Sequence, residues 1–120
     1  LSLPVEPGWA RSTWQSFCVR LPIGSDQRQV MQSMLDAGIA TRRGIMCSHR
    51  ETAYPVDTWS CACQNQGCTS TAGICQCLQH SEEAQDQTII LPLFPQMSFE
   101  QQDCVVKALH EALRVIMLDK

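Results

Sequence analysis

Residues 98–117, SFEQQDCVVKALHEALRVIM, constrain the fold more than any other stretch. Ser98 and Gln101 have the spacing of a capping box, in which each residue satisfies the other's backbone amide. Beyond them Cys104, Ala108, Ala112 and Ile116 recur every fourth position, and so do Val105, Leu109, Leu113 and Met117. Two such rows side by side make a wide apolar stripe along one helix. A helix of this kind must lay its stripe on another element, and an apolar sheet face is the natural support.

The rest of the chain offers that support. WQSFCVRL, residues 14–21, is aromatic and β-branched and alternates like a strand. Pro22 and Gly24 break it. Ser25 is placed to cap a helix whose face carries Val30, Met31, Met34 and Leu35, and Gly38 stands where such a helix ends in a left-handed residue. Ile39 to Ile45 reads as a second short strand. Ser81 is placed to cap a further helix, with Glu82 and Glu83 in its first turn, where the macrodipole favours negative charge. TIILPLF, residues 88–94, is an apolar run suited to a buried strand, with Pro92 marking an edge or bulge. The order strand, helix, strand, loop, helix, strand, helix predicts an α+β fold: a small antiparallel or mixed sheet with helices packed on one face. Residues 1–13, with Pro4, Pro7 and Gly8, read as a lead-in or linker. Residues 14–118 read as one domain, interrupted by a cysteine-rich irregular loop at 55–79.

Composition narrows the function classes. A chain of 120 residues suits one domain with a real core, and 44% hydrophobic against 18% charged residues argues against disorder. A net charge of −3 gives no reason to expect nucleic acid or an anionic membrane surface. No apolar run approaches the ~18–20 residues of a membrane span. The opening LSLPVEPGW lacks the basic and apolar regions of a secretory signal, so a cytoplasmic location with reduced thiols is expected. A chain that begins with Leu1 is expected to be a processed protein or a fragment.

SHRETAY, residues 48–54, gathers the groups best suited to chemistry. His49 exchanges protons near neutral pH, and arginine offers a planar fork for phosphate or carboxylate. Arg42 and Arg43 lie just upstream, so the segment reads as an anion-facing edge. The competing reading is a solvated loop whose charges pair with each other. Eight cysteines are many for this length. Cys61, Cys63, Cys68, Cys75 and Cys77 leave three readings open: free thiols, a zinc site or disulfides. Paired C-x-x-C spacing is absent, and five is an odd count for closed bridges. Cys18 and Cys104 occupy core-facing positions. Cys47 near His49 makes a cysteine–histidine nucleophile conceivable. His80 and His110 read as structural or solvated.

Taken together, WQSFCVRL, LDAGIATRRGIMCSHRETAY and SEEAQDQTIILPLFPQMSFEQQDCVVKALHEAL resemble the C-terminal small domain of the DegT/DnrJ/StrS family of pyridoxal-phosphate-dependent sugar aminotransferases. The resemblance covers roughly residues 12–114 apart from the cysteine-rich loop. It implies the C-terminal domain of an aspartate-aminotransferase-type fold. It further implies a large cofactor-binding domain in the same protein, a homodimer partner at the active site, and a nucleotide-linked keto sugar as substrate, with glutamate or glutamine as amino donor. His49 and Tyr54 would then face the sugar nucleotide, and Arg42 or Arg43 its phosphates or the donor carboxylate. The family's Schiff-base lysine belongs to a region this chain lacks, since Lys107 and Lys120 are its only lysines. Pyridoxal phosphate is therefore expected in the complete enzyme and not held tightly by this chain, which is expected to be inactive alone. Thr52 stands where the family pattern has proline. Two alternatives remain: a stand-alone ligand- or protein-binding module descended from that domain, and a small metal-binding protein built on the cysteine loop. A fragment would expose an apolar patch of several hundred Å2 where its large domain belongs.

Overall fold

A computed structural model describes residues 1–55, 58–59, 61, 70–71 and 74–118, with the backbone alone for 70–71, 74–75 and 116–118. Three strands form the sheet: β1 (Phe17–Arg20), β2 (Arg42–Arg43) and a later strand, β5 (Thr88–Leu91), in the order β1-β5-β2 and antiparallel throughout. Helix α1 (Gln27–Asp36) joins β1 to β2. A 3-10 turn (Ser48–Arg50), a two-residue ladder of β3 (Ser70–Thr71) with β4 (Ile74–Cys75), and helix α2 (Gln79–Gln87) lead into β5. Helix α3 (Phe99–Leu118) closes the chain. The α+β class read from the element order is thus the observed one, with an antiparallel sheet. The stretch read as irregular contains the β3–β4 ladder. Among the described residues no helix is long and apolar enough to cross a membrane.

Strand alternation builds the core. Val19 pairs with Ile89 and Phe17 with Leu91 across β1 and β5, and these side chains share one face. Val30 and Met34 of α1, with Val105, Leu109, Ala112 and Leu113 of α3, pack onto that face. Val30, Met34, Ile89 and Ala112 are wholly buried. Burial of each of the three larger ones, Val30, Met34 and Ile89, contributes roughly 1.5–3 kcal/mol. Cys18, Ile90 and Arg42 form a cross-strand row on the opposite face, which α1 and α3 leave open.

Both long helices are capped by their own residues. At α3 the capping box closes as expected: Ser98 N donates to Gln101 Oε1 at 2.9 Å and Gln101 N to Ser98 Oγ at 3.3 Å. Gly38 takes the expected left-handed φ of 79° after α1. The cap of α1 is Asp26, not Ser25: its carboxylate accepts from Arg28 N at 2.9 Å and Gln29 N at 3.1 Å. Helix α2 starts at Gln79, two residues before Ser81, and has no side-chain cap. The 3-10 turn Gln76–Leu78 runs straight into it, so helical backbone continues where a cap was expected.

The strands are shorter than the sequence suggests. Trp14 adopts a positive φ of 50°, which breaks the extended run and delays β1 to Phe17. Pro92 has no amide and ends β5, which is the central strand and not an edge. Within the lead-in segment, Ser2 forms an isolated bridge with Arg20 and extends the β1 edge.

Two cysteines depart from the core positions expected of them. Cys18 is half-buried on the open face, because Phe17 and Val19 take the inward positions of β1. Cys104 is exposed: it lies in the first turns of α3, beside a groove, and the core begins one residue later at Val105.

Candidate functional site

Helix α2 buries no apolar side chain of its own apart from a half-buried Ala84; Glu82 and Gln85 are its buried residues. Polar groups shielded from water need partners, and the loop after β2 supplies them. Glu82, Gln85 and Asp86 stand at i, i+3 and i+4, on one face of the helix. The Cys47 amide donates to Gln85 Oε1 at 3.0 Å. His49 Nε2 lies 2.8 Å from Glu82 Oε1. Arg50 Nη1 donates to Asp86 Oδ1 at 2.9 Å and, more weakly, to the Glu82 carbonyl at 3.4 Å. Residues 47–50 are thereby moulded onto α2. Gln27 fastens the other end: its Nε2 donates to the carbonyls of Gln85 and Thr88, each at 2.7 Å.

His49 is nearly enclosed. Its side chain is 11% exposed and that of Glu82 10%, and Trp59 meets the imidazole edge-on with ring centroids 5.2 Å apart. No orienting partner for this histidine is legible in the sequence; the structure provides Glu82. Arg50 is held in its charged form more firmly than an ordinary guanidinium, chiefly by its bond to Asp86. Arg43 sits 3.7 Å from Glu51 in a largely solvated pair, the kind that contributes little stability. Tyr54 is exposed, its amide closing a turn on the Glu51 carbonyl at 2.9 Å. Arg42 is exposed and has no ion-pair partner among the described residues. These candidate residues therefore divide: His49, Arg43 and Arg50 have partners within the protein, while Arg42 and Tyr54 face solvent.

Cys47 does not have the setting of a nucleophile. Its side chain is buried, and burial pushes the thiol above its usual range; Arg50 pulls it down, while Glu82, Asp86 and Glu51 push it up. A reactive cysteine needs the opposite shift and an open approach. His80 and His110 are exposed, and His80 pairs only loosely with Glu83 at 3.5 Å.

Of the cysteines considered for zinc, Cys63 and Cys68 lie outside the described residues. Cys61 is half-buried and Cys77 exposed. No group of three or more metal-ligating side chains gathers among the described residues. The groups described also do not suit pyridoxal phosphate by themselves. Lys107 is exposed on α3, whereas a Schiff-base lysine needs desolvation or an activating neighbour. The amides at the starts of α1 and α3, which could cradle a phosphate, are engaged by Asp26 and by the Ser98–Gln101 pair. Lys120 lies outside the described residues.

Two apolar grooves flank Met97. One, of about 480 Å3, runs between Ile39 and Cys104 past Pro92 and Phe94. The other, of about 400 Å3, lies between Trp14, Leu93 and Val106. Trp14, Leu93 and Phe94 are 39–44% exposed around them.

Sequence reasoning saw Glu82 and Glu83 only as first-turn acids of a helix, and it missed Gln85 and Asp86. A signal existed: QHSEEAQDQ cannot present an apolar stripe, so a helix there must bury polar side chains against polar partners. No model of a known protein family matches the chain, and no curated protein matches it.

Proposed function

We propose that this chain is the small domain of a pyridoxal-phosphate-dependent aminotransferase acting on a nucleotide-linked keto sugar, of the DegT/DnrJ/StrS type that its motifs resemble. The observation that carries this reading is the apolar surface around Met97. Two grooves meet at Pro92, Met97 and Val105, with Trp14, Leu93 and Phe94 left half-open beside them. A monomer that kept this surface in water would be prone to self-association; a large domain packed against it removes the liability. The α+β fold and the moulded loop at 47–50 support the same reading, since a domain that walls a pocket needs a rigid edge.

In the complete enzyme the cofactor supplies the electron sink for amino-group transfer. This chain's part is binding and enclosure. The loop at 47–54 borders the pocket with Tyr54 outward and His49 fixed by Glu82. Arg42 and Arg43 offer positive charge toward the sugar nucleotide's phosphates or the amino donor's carboxylate. The catalytic lysine and the partner subunit's half of the site come from outside this chain.

The test is the coding sequence upstream of Leu1. An in-frame segment of domain length, about 50–250 residues, with a lysine-bearing cofactor site is the expected result. A reading frame that starts at Leu1 or close to it would overturn the proposal. Mixing the purified chain with pyridoxal phosphate provides a second check: only weak, nonspecific aldimine absorption is expected.

A further inference from the structure

A third groove, of about 290 Å3, crosses the end of the sheet where β1 begins and β5 stops. Gln15, Ser16, Thr41 and Arg42 form its polar wall, and Ile90 and Pro92 its apolar side. Among the described residues no acidic side chain lines it. Its size lies near the lower end of small-ligand sites, which run from about 300 Å3 upward.

Three observations point to an anion. Arg42 pairs with Ile90 on the open face of the sheet, and its guanidinium meets no carboxylate among the described residues, whereas Arg43 and Arg50 face Glu51 and Asp86. The Thr41 hydroxyl is shielded from water and has no hydrogen-bond partner among the described residues. Trp14 holds a left-handed φ of 50°, with its amide on Ser12 Oγ at 3.1 Å, and this turn brings Gln15 and Ser16 to the groove. Strain of that kind in a bulky residue is costly and gathers at binding sites.

We propose that this groove binds an oxyanion, a phosphate or a carboxylate, with Arg42 as the cation and Gln15, Ser16 and Thr41 as hydrogen-bond donors. The inference rests on the nucleotide-sugar reading for the identity of the ligand that carries the oxyanion. Within that reading it selects Arg42 over Arg43, and it adds two residues from the segment before β1.

The experiment is a backbone-amide NMR titration of the 120-residue chain with pyrophosphate and, separately, with glutamate. Salt-sensitive shifts confined to residues 15–16, 40–42, 90–91 and 93 are expected. A response to pyrophosphate assigns the groove to a phosphate, and a response to glutamate alone assigns it to a donor carboxylate. Arg42→Ala should weaken binding about tenfold or more. Arg42→Lys keeps the charge without the fork and should fall between. Arg114→Ala, which removes a surface charge paired with Glu111 on α3, should bind like the wild type. Silence in the groove for both anions, undiminished binding by Arg42→Ala, or equal weakening by Arg114→Ala would each overturn the proposal. The upstream coding sequence tests the aminotransferase reading separately. Its failure would leave a positive titration standing, and a silent titration would leave the coding sequence untouched.

Discussion

His49 Nε2 and Glu82 Oε1 lie 2.8 Å apart although 33 residues separate them in the chain. Both side chains are about nine-tenths shielded from water. Deleting one member of such a pair leaves the other buried without its partner, which costs more than the bond's own net contribution. Glu82→Ala should therefore destabilise the fold by about 1–3 kcal/mol. Glu82→Gln retains an acceptor and should lose less. Urea unfolding of the two variants checks the order; equal stabilities for Ala and wild type would sink the claim that this pair secures the loop.

Gly44 is a position where any side chain collides. A Cβ there would run into the Thr88 hydroxyl and would lie 2.7 Å from Thr88 Cβ and 2.5 Å from Cys18 Sγ. The Gly44 amide meanwhile donates to the Thr88 carbonyl at 2.9 Å, so the backbone cannot withdraw without breaking that bond. Gly44→Ala should cost about 1–3 kcal/mol by overpacking. A shift of the urea midpoint toward lower denaturant measures it, with Gly8→Ala, where nothing lies within 4 Å, as the neutral comparison.

Cys47 adds a pH dependence at the alkaline end. Burial raises its thiol above the ordinary range in the folded chain, so the folded state holds this proton more tightly than the unfolded one. The stability it contributes is fully present below the unfolded thiol's pKa of about 8.5 and is lost as pH rises through the folded value. Unfolding free energies measured between pH 7 and 10 should fall more steeply for the wild type than for Cys47→Ala. Parallel pH profiles would remove Cys47 as the cause.

Ser98 caps the longest helix. Ser98→Ala removes the acceptor for the Gln101 amide and should cost about 0.5–2 kcal/mol. The same hydroxyl is the main reason, with the residue's own amide second, that the fully exposed Glu100 carboxyl titrates below its usual range. The variant should therefore also return Glu100 toward an ordinary carboxylate, which an NMR titration of that side chain reads directly. Loss of stability with an unmoved Glu100 would mean that the hydroxyl does not bond both groups.

Sequence alone determined the local features. The apolar rows of α3, its capping box, the left-handed Gly38 and the apolar run of β5 are each decided within a few residues by periodicity, propensity or a single hydrogen bond. The element order followed from them, and so did the α+β class. Tertiary structure alone decided which groups meet across distance: Glu82 with His49, Gln85 with the Cys47 amide, Asp86 with Arg50, and Gly44 against Thr88. It also decided where the stripe of α3 stops being covered, which leaves Cys104 in water and begins the core at Val105. The physical reason is that periodicity fixes which face of an element is apolar, while the partner of a polar side chain depends on how separate elements are packed. A helix such as α2, held by polar bonds instead of an apolar stripe, leaves little trace in a pattern of hydrophobicity.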